Sequence, residues 1–341
     1  MAKKEKKIKF PSELRMDLIS GDWVILARNR AKKPDEFKNP RSKKKGRCPF
    51  CDLKEQNIPV FVSANGKTIP RYKDVPKNWT VAVVPNKYPA LIPHFRLDER
   101  TEGGLYKKMN AVGFHEVVIA RDHKKQLSQL PTKRVKEVID AYQARYLDMK
   151  DKRFVNYISI FHNHGPNSGA SIAHTHSQII TTVLLDADFK NALDGAKKYY
   201  QKNKECLYCH MTKYELKAKE RIVFENKRFV ALCPYASKMP FQTIITPKKH
   251  LPYFEEITEE EKTDLAEALK AVLHKINKGL RNPSYNFYLH TAPCDEKNHD
   301  YYHWHWTVLP KIQEWAGFEI GTKLEIITVA PEQAAQYLRK Q

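Results

Sequence analysis

Runs rich in β-branched and aromatic residues punctuate this chain at 80–85, 116–120, 157–161, 228–232, 242–246 and 285–289, and each reads as a β-strand. Between them the period changes. From about Thr132 an apolar stripe of Val135, Val138, Ile139, Tyr142 and Tyr146 has the i, i+3, i+4, i+7 spacing of a helix face. A second helix opens with the capping box Thr258 to Glu261 and continues the stripe through Leu265, Leu269, Val272, Leu273 and Ile276. A further helix is expected over 186–202.

The order of these elements repeats. Each half begins with a Cys-x-x-Cys, Cys48-Pro-Phe-Cys51 and Cys206-Leu-Tyr-Cys209, followed by strands, a lone His at a strand end, a helix and another strand. Each then closes on a His-x-His, His174-Thr-His176 and His303-Trp-His305. The lone His precedes the doublet by 51 residues in one half (His123) and 53 in the other (His250). From the second Cys to the lone His the gaps are 72 and 41, so the first half carries a longer insertion. The fold class expected is α+β, a duplicated unit over 1–185 and 186–341 with antiparallel sheets packed against helices.

Composition narrows the functions this fold could serve. A length of 341 residues with 41% hydrophobic positions supports about two globular domains and excludes long disorder. No apolar run is long enough to span a membrane, and no apolar stretch follows the basic start, so a cytoplasmic enzyme is expected. The formal net charge is +21, which favours anionic partners. Much of it sits in lysine clusters at Lys3, Lys4, Lys6, Lys7 and Lys9 and at Lys43 to Lys45, which read as solvated tails or loops. A nucleic-acid binder built on two zinc modules would use that charge, but no nucleic-acid motif accompanies it. Six cysteines without a secretory signal argue against a disulfide framework, and neither Cys pair opens a thioredoxin-like unit. Cys233 and Cys294 read as buried free thiols.

The paired cysteines and histidines carry chemistry. Cys48, Cys51, His123 and His174 supply the four N/S ligands of a closed zinc site, and Cys206, Cys209, His250 and His303 supply a second. Residues i and i+2 of a strand share a face about 6.5–7 Å apart, so the second His of each doublet is free to meet a substrate while the first binds metal. Around His176 the segment Gly165-Pro-Asn-Ser-Gly169-Ala170-Ser171 lets backbone N–H groups approach phosphate oxygens. Ser171 and Gln178 add neutral donors, and a neutral imidazole is a competent nucleophile at phosphorus. The second doublet has Thr307 where Gln178 falls in the first, so that half is read as a structural metal site and binding surface.

At these residues the chain resembles the galactose-1-phosphate uridylyltransferase family of the histidine-triad superfamily, over nearly its whole length. The resemblance implies two histidine-triad-like repeats, with zinc at both four-residue sets and iron possible in the second. It makes His176 the covalent nucleophile and Gln178 the residue that stabilises the nucleotidylated intermediate. Residues 23–34, with Arg30 and Lys33, look like the family's nucleotide-contacting opening. Asn163 and Ser171 fall near the phosphates, Asn86 and Gly169 are expected to bind substrate, and Glu319, within the C-terminal signature at 317–322 and 331–335, would touch the hexose. Nucleotide sugar and sugar 1-phosphate are the implied partners, in a homodimer, with no membrane and no specific nucleic acid. The activity implied is nucleotidyl transfer from UDP-glucose to galactose 1-phosphate. His-Thr-His-Ser-Gln replaces the more usual His-Pro-His-Gly-Gln and is closer to the ADP-glucose phosphorylase branch, which likewise has a second Cys-x-x-Cys. Lys33, Lys87 and Lys323 also depart from the usual pattern. An ADP-glucose or dinucleotide phosphorylase, with inorganic phosphate as acceptor, is therefore the alternative.

Overall fold

The computed structural model describes residues 13–20, 23–26, 48–69 and 75–341. Arg30, Lys33 and the lysine clusters lie outside the described residues. In chain order the elements are β1 (Glu13–Met16), β2 (Trp23–Leu26), β3 (Phe61–Ala64), β4 (Lys67–Thr68), β5 (Val81–Pro85), β6 (Arg100–Glu102), β7 (Tyr106–Lys108), β8 (His115–Ala120), α1 (Thr132–Met149), β9 (Tyr157–His164) and β10 (His176–Thr182). Then follow α2 (Ala187–Asn203), α3 (Leu207–Ala218), β11 (Ile222–Glu225), β12 (Phe229–Leu232), β13 (Thr243–Pro247), α4 (Glu259–Gly279), β14 (Tyr285–His290), β15 (His305–Pro310), α5 (Gly317–Thr322), β16 (Ile326–Ile327) and α6 (Pro331–Arg339). None of these helices is long and apolar enough to cross a membrane.

Eleven strands form one antiparallel sheet in the order β11-β12-β13-β15-β14-β9-β10-β8-β5-β3-β4. Read outward from its centre, the order is the same in both directions: β9, β10, β8, β5, β3 on one side and β14, β15, β13, β12, β11 on the other. The internal repeat of the sequence is thus a repeat of structure. Its two sheets are fused, because β9 and β14 pair antiparallel with Asn163 opposite Asn286 and Phe161 opposite Tyr288.

Helices α1 and α4 cover one face of this sheet. Every stripe residue of α1 and α4 named above is buried, in one core with Val118, Ile160, Ile179, Phe287, Trp306 and Val308. The capping box opens α4 as expected, with the Glu261 N–H donating to Thr258 Oγ1 at 3.3 Å and the Thr258 N–H to Glu261 Oε2 at 2.9 Å. Because strand side chains alternate, committing one set to the helices commits the other to the opposite face. On β10, Ile179 joins the helix-side core and Ser177 bonds Tyr142 of α1. That turns His176 and Gln178 the other way.

An ion pair is also buried under the helices. Arg145 of α1 donates from Nε and Nη2 to the two carboxylate oxygens of Glu116 on β8, both at 2.8 Å. Truncating one partner strands a charge in the core, at a cost of about 3–5 kcal/mol, whereas replacing both by apolar groups is far less damaging. Arg145→Met should therefore lower the urea midpoint sharply, and Glu116→Leu added to it should recover most of the loss. An unchanged midpoint in the single variant would show that the pair contributes nothing.

Candidate active site and metal centres

On the face away from α1 and α4, neighbouring strands present His115 (β8), His176 and Gln178 (β10), Phe161 and Asn163 (β9), Asn286, Tyr288 and His290 (β14), and His305 and Thr307 (β15). Gln178, Phe161, Tyr288 and Thr307 form one cross-strand row. Equivalent positions of the two repeats, Gln178 and Thr307, therefore flank the central seam.

Both sets of Cys and His come together, each with its ligand atoms within 4.8 Å of one another. In the first, Cys48 Sγ lies 3.4 Å from His174 Nδ1, Cys51 Sγ lies 3.2 Å from His123 Nδ1, and the two Nδ1 atoms are 3.2 Å apart. In the second, Cys209 Sγ is 3.4 Å from Nδ1 of both His250 and His303. A tetrahedron with zinc-like bond lengths has edges of about 3.3–3.8 Å, so the donors fit a single ion. The outer hydrogen bonds agree. Nε2–H of His174 donates to the Ala120 carbonyl at 2.7 Å, that of His250 to Asp300 at 2.7 Å, and that of His303 to Pro247 at 3.0 Å. Each bond puts the ring proton on Nε2 and leaves Nδ1 as the metal-facing lone pair.

The two centres reach this geometry differently from the simplest sequence reading. His123 and His250 lie three residues beyond the last residues of β8 and β13, in loops rather than at strand ends. His174 and His303 precede β10 and β15, so only the second member of each doublet is in the ladder. The first Cys pair forms a turn closed by Cys51 N–H to Cys48 O at 3.3 Å, while Cys206 caps α3 and puts Cys209 in its first turn. The helix N-terminus at the second pair favours the thiolate form that binds metal.

His176 is the centre of the first-half site. Its Nδ1–H donates to the His174 carbonyl at 2.8 Å, which leaves the Nε2 lone pair for chemistry. Burial pushes its pKa below the ordinary histidine value, against the opposing bond to His174, and so favours the neutral ring. Phe50, between the two metal-site cysteines, meets the ring edge-on at 4.9 Å. The loop from β9 to β10 carries Gly169 and Ser171, and two glycines shape it at φ 82° (Gly165) and 83° (Gly169). At Gly165 a Cβ would stand 2.4 Å from Ser284 Oγ, so only glycine passes there. Asn286 of the second repeat pins the loop, donating from Nδ2 to Asn163 Oδ1 at 2.7 Å and to Ser168 O at 2.9 Å.

The remaining expected residues divide. Asn86 joins the site, 3.0 Å from His115 Nε2, and His115 in turn meets Gln178. Glu319 does not: its carboxylate accepts from the Ala316 N–H at 3.0 Å, and no hydrogen bond or ion pair among the described residues links it to the His176 group. His115, Phe50 and Asn286 were not singled out in the sequence. For His115 the signal was present, a polar residue immediately before the 116–120 strand and in phase with its open face. In the second repeat, His305 keeps the bond from Nδ1–H to the His303 carbonyl, at 3.3 Å, and its ring lies tilted against that of His290 with centroids 4.9 Å apart. It has Thr307 in place of an amide.

The galactose-1-phosphate uridyl transferase N-terminal domain matches residues 1–185, and the C-terminal domain of the same family matches 192–340. ADP-glucose phosphorylase of Arabidopsis thaliana is 34% identical over 96% of this chain and 92% of its own. The galactose-1-phosphate uridylyltransferase of Thermotoga maritima is 28% identical over 96% of this chain and 98% of its own. A crystal structure of an Arabidopsis thaliana ADP-glucose phosphorylase with bound ADP-glucose superposes with a TM-score of 0.81 at 31% identity, covering 97% of this chain and 99% of that one. The chain belongs to the galactose-1-phosphate uridylyltransferase family of nucleotidyltransferases.

Proposed function

We propose that this enzyme moves a nucleoside monophosphate from a nucleotide sugar to hexose 1-phosphate by double displacement through His176. One observation carries the reading: Nδ1–H of His176 is committed to a backbone carbonyl, so Nε2 presents its lone pair on the open face beside the Gln178 amide. Nε2 attacks the α-phosphorus, the P–O bond to the departing sugar 1-phosphate breaks, and the electron pair leaves on that oxygen. The His176 proton stays on Nδ1, where the His174 carbonyl steadies the cationic adduct. In the second step an oxygen of the acceptor phosphate attacks phosphorus and the P–N bond breaks, restoring His176. Gln178 and the N–H groups of the loop carrying Gly169 and Ser171 stabilise charge growing on the phosphoryl oxygens.

Zinc suits both metal sets, since thiolate and imidazole donors in a tetrahedron select it over iron. Bound there, it would tie Cys48, Cys51, His123 and His174, and Cys206, Cys209, His250 and His303, into fixed corners of the two repeats, 1–185 and 186–341. The second repeat then serves as scaffold and binding surface. Arg30 and Lys33 contact the nucleotide, and Glu319 reaches the hexose across a homodimer in the cytoplasm. A second reading, ADP-glucose phosphorolysis, is favoured by the 34% identity to ADP-glucose phosphorylase.

Intact mass after brief incubation with UDP-glucose or ADP-glucose, without acceptor, tests both. A UMP adduct discharged by galactose 1-phosphate supports the uridylyltransferase. An AMP adduct discharged by inorganic phosphate supports the phosphorylase. No adduct from either sugar nucleotide overturns covalent transfer from these donors.

A further inference from the structure

We infer that His115 is the positioning residue for Gln178, fixing which end of its side-chain amide faces the phosphoryl group. The inference rests on His176 as the nucleophile and extends that reading to a residue outside it. His115 opens β8, and its ring is held at both edges. Nδ1 lies 3.0 Å from the backbone nitrogen of Ala90, which can only donate, so Nδ1 must be the lone-pair nitrogen. The neutral ring therefore carries its proton on Nε2. Nε2 has two near neighbours, the acceptor Gln178 Oε1 at 2.9 Å and the donor nitrogen Nδ2 of Asn86 at 3.0 Å. Asn86 is excluded as acceptor, because its own Oδ1 already accepts the Tyr88 N–H at 2.9 Å and its NH2 end faces the ring. Gln178 Oε1 takes the proton, and the Gln178 NH2 group is left to point into the site.

That orientation is the one catalysis needs. Oxygens of a phosphoryl group accept hydrogen bonds, so an amide turned the other way would set its carbonyl against them. A glutamine side chain without a partner turns over freely; the chain Ala90 N–H to His115 to Gln178 removes that freedom.

The clasp comes from the first half's longer insertion, since Asn86, Tyr88 and Ala90 lie in the β5–β8 connection. In the second repeat, counting back equally from His250, the position of His115 is Gln242, and its Oε1 accepts the Lys238 N–H at 2.7 Å within a turn. Thr307 replaces Gln178 there. Amide and orienting imidazole are present together in one half and absent together from the other.

The test uses the whole enzyme and whichever nucleotide sugar labels it. In His115→Phe, which keeps a ring but no nitrogen, single-turnover adduct formation should slow about 10- to 100-fold, the range of an orienting partner. Nucleotide-sugar Kd, measured in a His176→Asn background, should stay within about threefold. His115→Gln, whose amide NH2 can reach the Nε2 position, should regain most of the rate even where His115→Phe folds poorly. The double variant His115→Phe/Gln178→Ala should be no slower than Gln178→Ala alone. Nitrogen-15 shifts of the His115 ring in the resting protein should report a proton on Nε2 and a bare Nδ1. Multiplicative rate losses in the double variant, or the opposite tautomer, overturn the inference while a labelled wild type leaves the function standing. A wild type that forms no adduct overturns both.

Discussion

His176→Asn should fold, melt close to the wild type, and lose nucleotidyl transfer by roughly 10⁴-fold or more, the scale of removing a covalent nucleophile. Asparagine is suitable because its amide NH2 can still donate to the His174 carbonyl, so the entry into β10 keeps its anchor. The lost contact with Phe50 costs about 1–2 kcal/mol. Two readouts are decisive: the absence of any nucleotide adduct by intact mass, and steady-state turnover at background. His305→Asn is the matched control. It removes the equivalent imidazole from the second repeat, where Thr307 supplies no amide, and should change turnover less than about threefold. Near-normal activity in His176→Asn would refute the mechanism, and loss of adduct formation in His305→Asn as well would move catalysis to both repeats.

The repeat was legible in the sequence because its markers are chemically constrained. A Cys-x-x-Cys, a lone His and a His-x-His carry the donor types that one metal ion would gather, and both sets converge in space. The stripes of α1 and α4 were legible for a similar reason: a long helix lying on a sheet must bury every third or fourth residue. Less visible was what depends on pairing between distant strands. Nothing local in Tyr157–Phe161 or Tyr285–Leu289 says that β9 and β14 meet edge to edge and merge two sheets into one. Asn286 escaped notice because its value lies in reaching across that seam to Asn163 and Ser168. His115 escaped because one polar residue before an apolar strand reads as an ordinary boundary. Its meaning comes from Ala90 and Gln178, respectively 25 and 63 residues away.

The two Cys/His sets should differ in what their loss does. Metal analysis of the purified enzyme should approach two ions per chain, and Cys48→Ser or Cys209→Ser should each reduce it to about one. Both should destabilise. Structural zinc supplies roughly 10–16 kcal/mol where folding waits on the ion; this chain also buries an extensive apolar core, so about 3–5 kcal/mol is expected from either loss. Their effects on chemistry should differ. His174 is at once a member of the first Cys/His set and, through its carbonyl, the acceptor that sets the His176 tautomer. Phe50 lies against the His176 ring on the turn between Cys48 and Cys51. Loosening that corner frees the His176 ring on two sides, so Cys48→Ser should slow adduct formation well beyond tenfold at a temperature where the protein is still folded. Cys209→Ser disturbs the corresponding corner around His303 and His305, across the seam, and should leave the adduct rate within about threefold. Equal losses from the two variants would mean that the second repeat takes a direct part in the transfer. Metal content near zero in folded, active enzyme would refute both centres, and a value near one would leave the second as a pair of cysteines and histidines held together by packing alone.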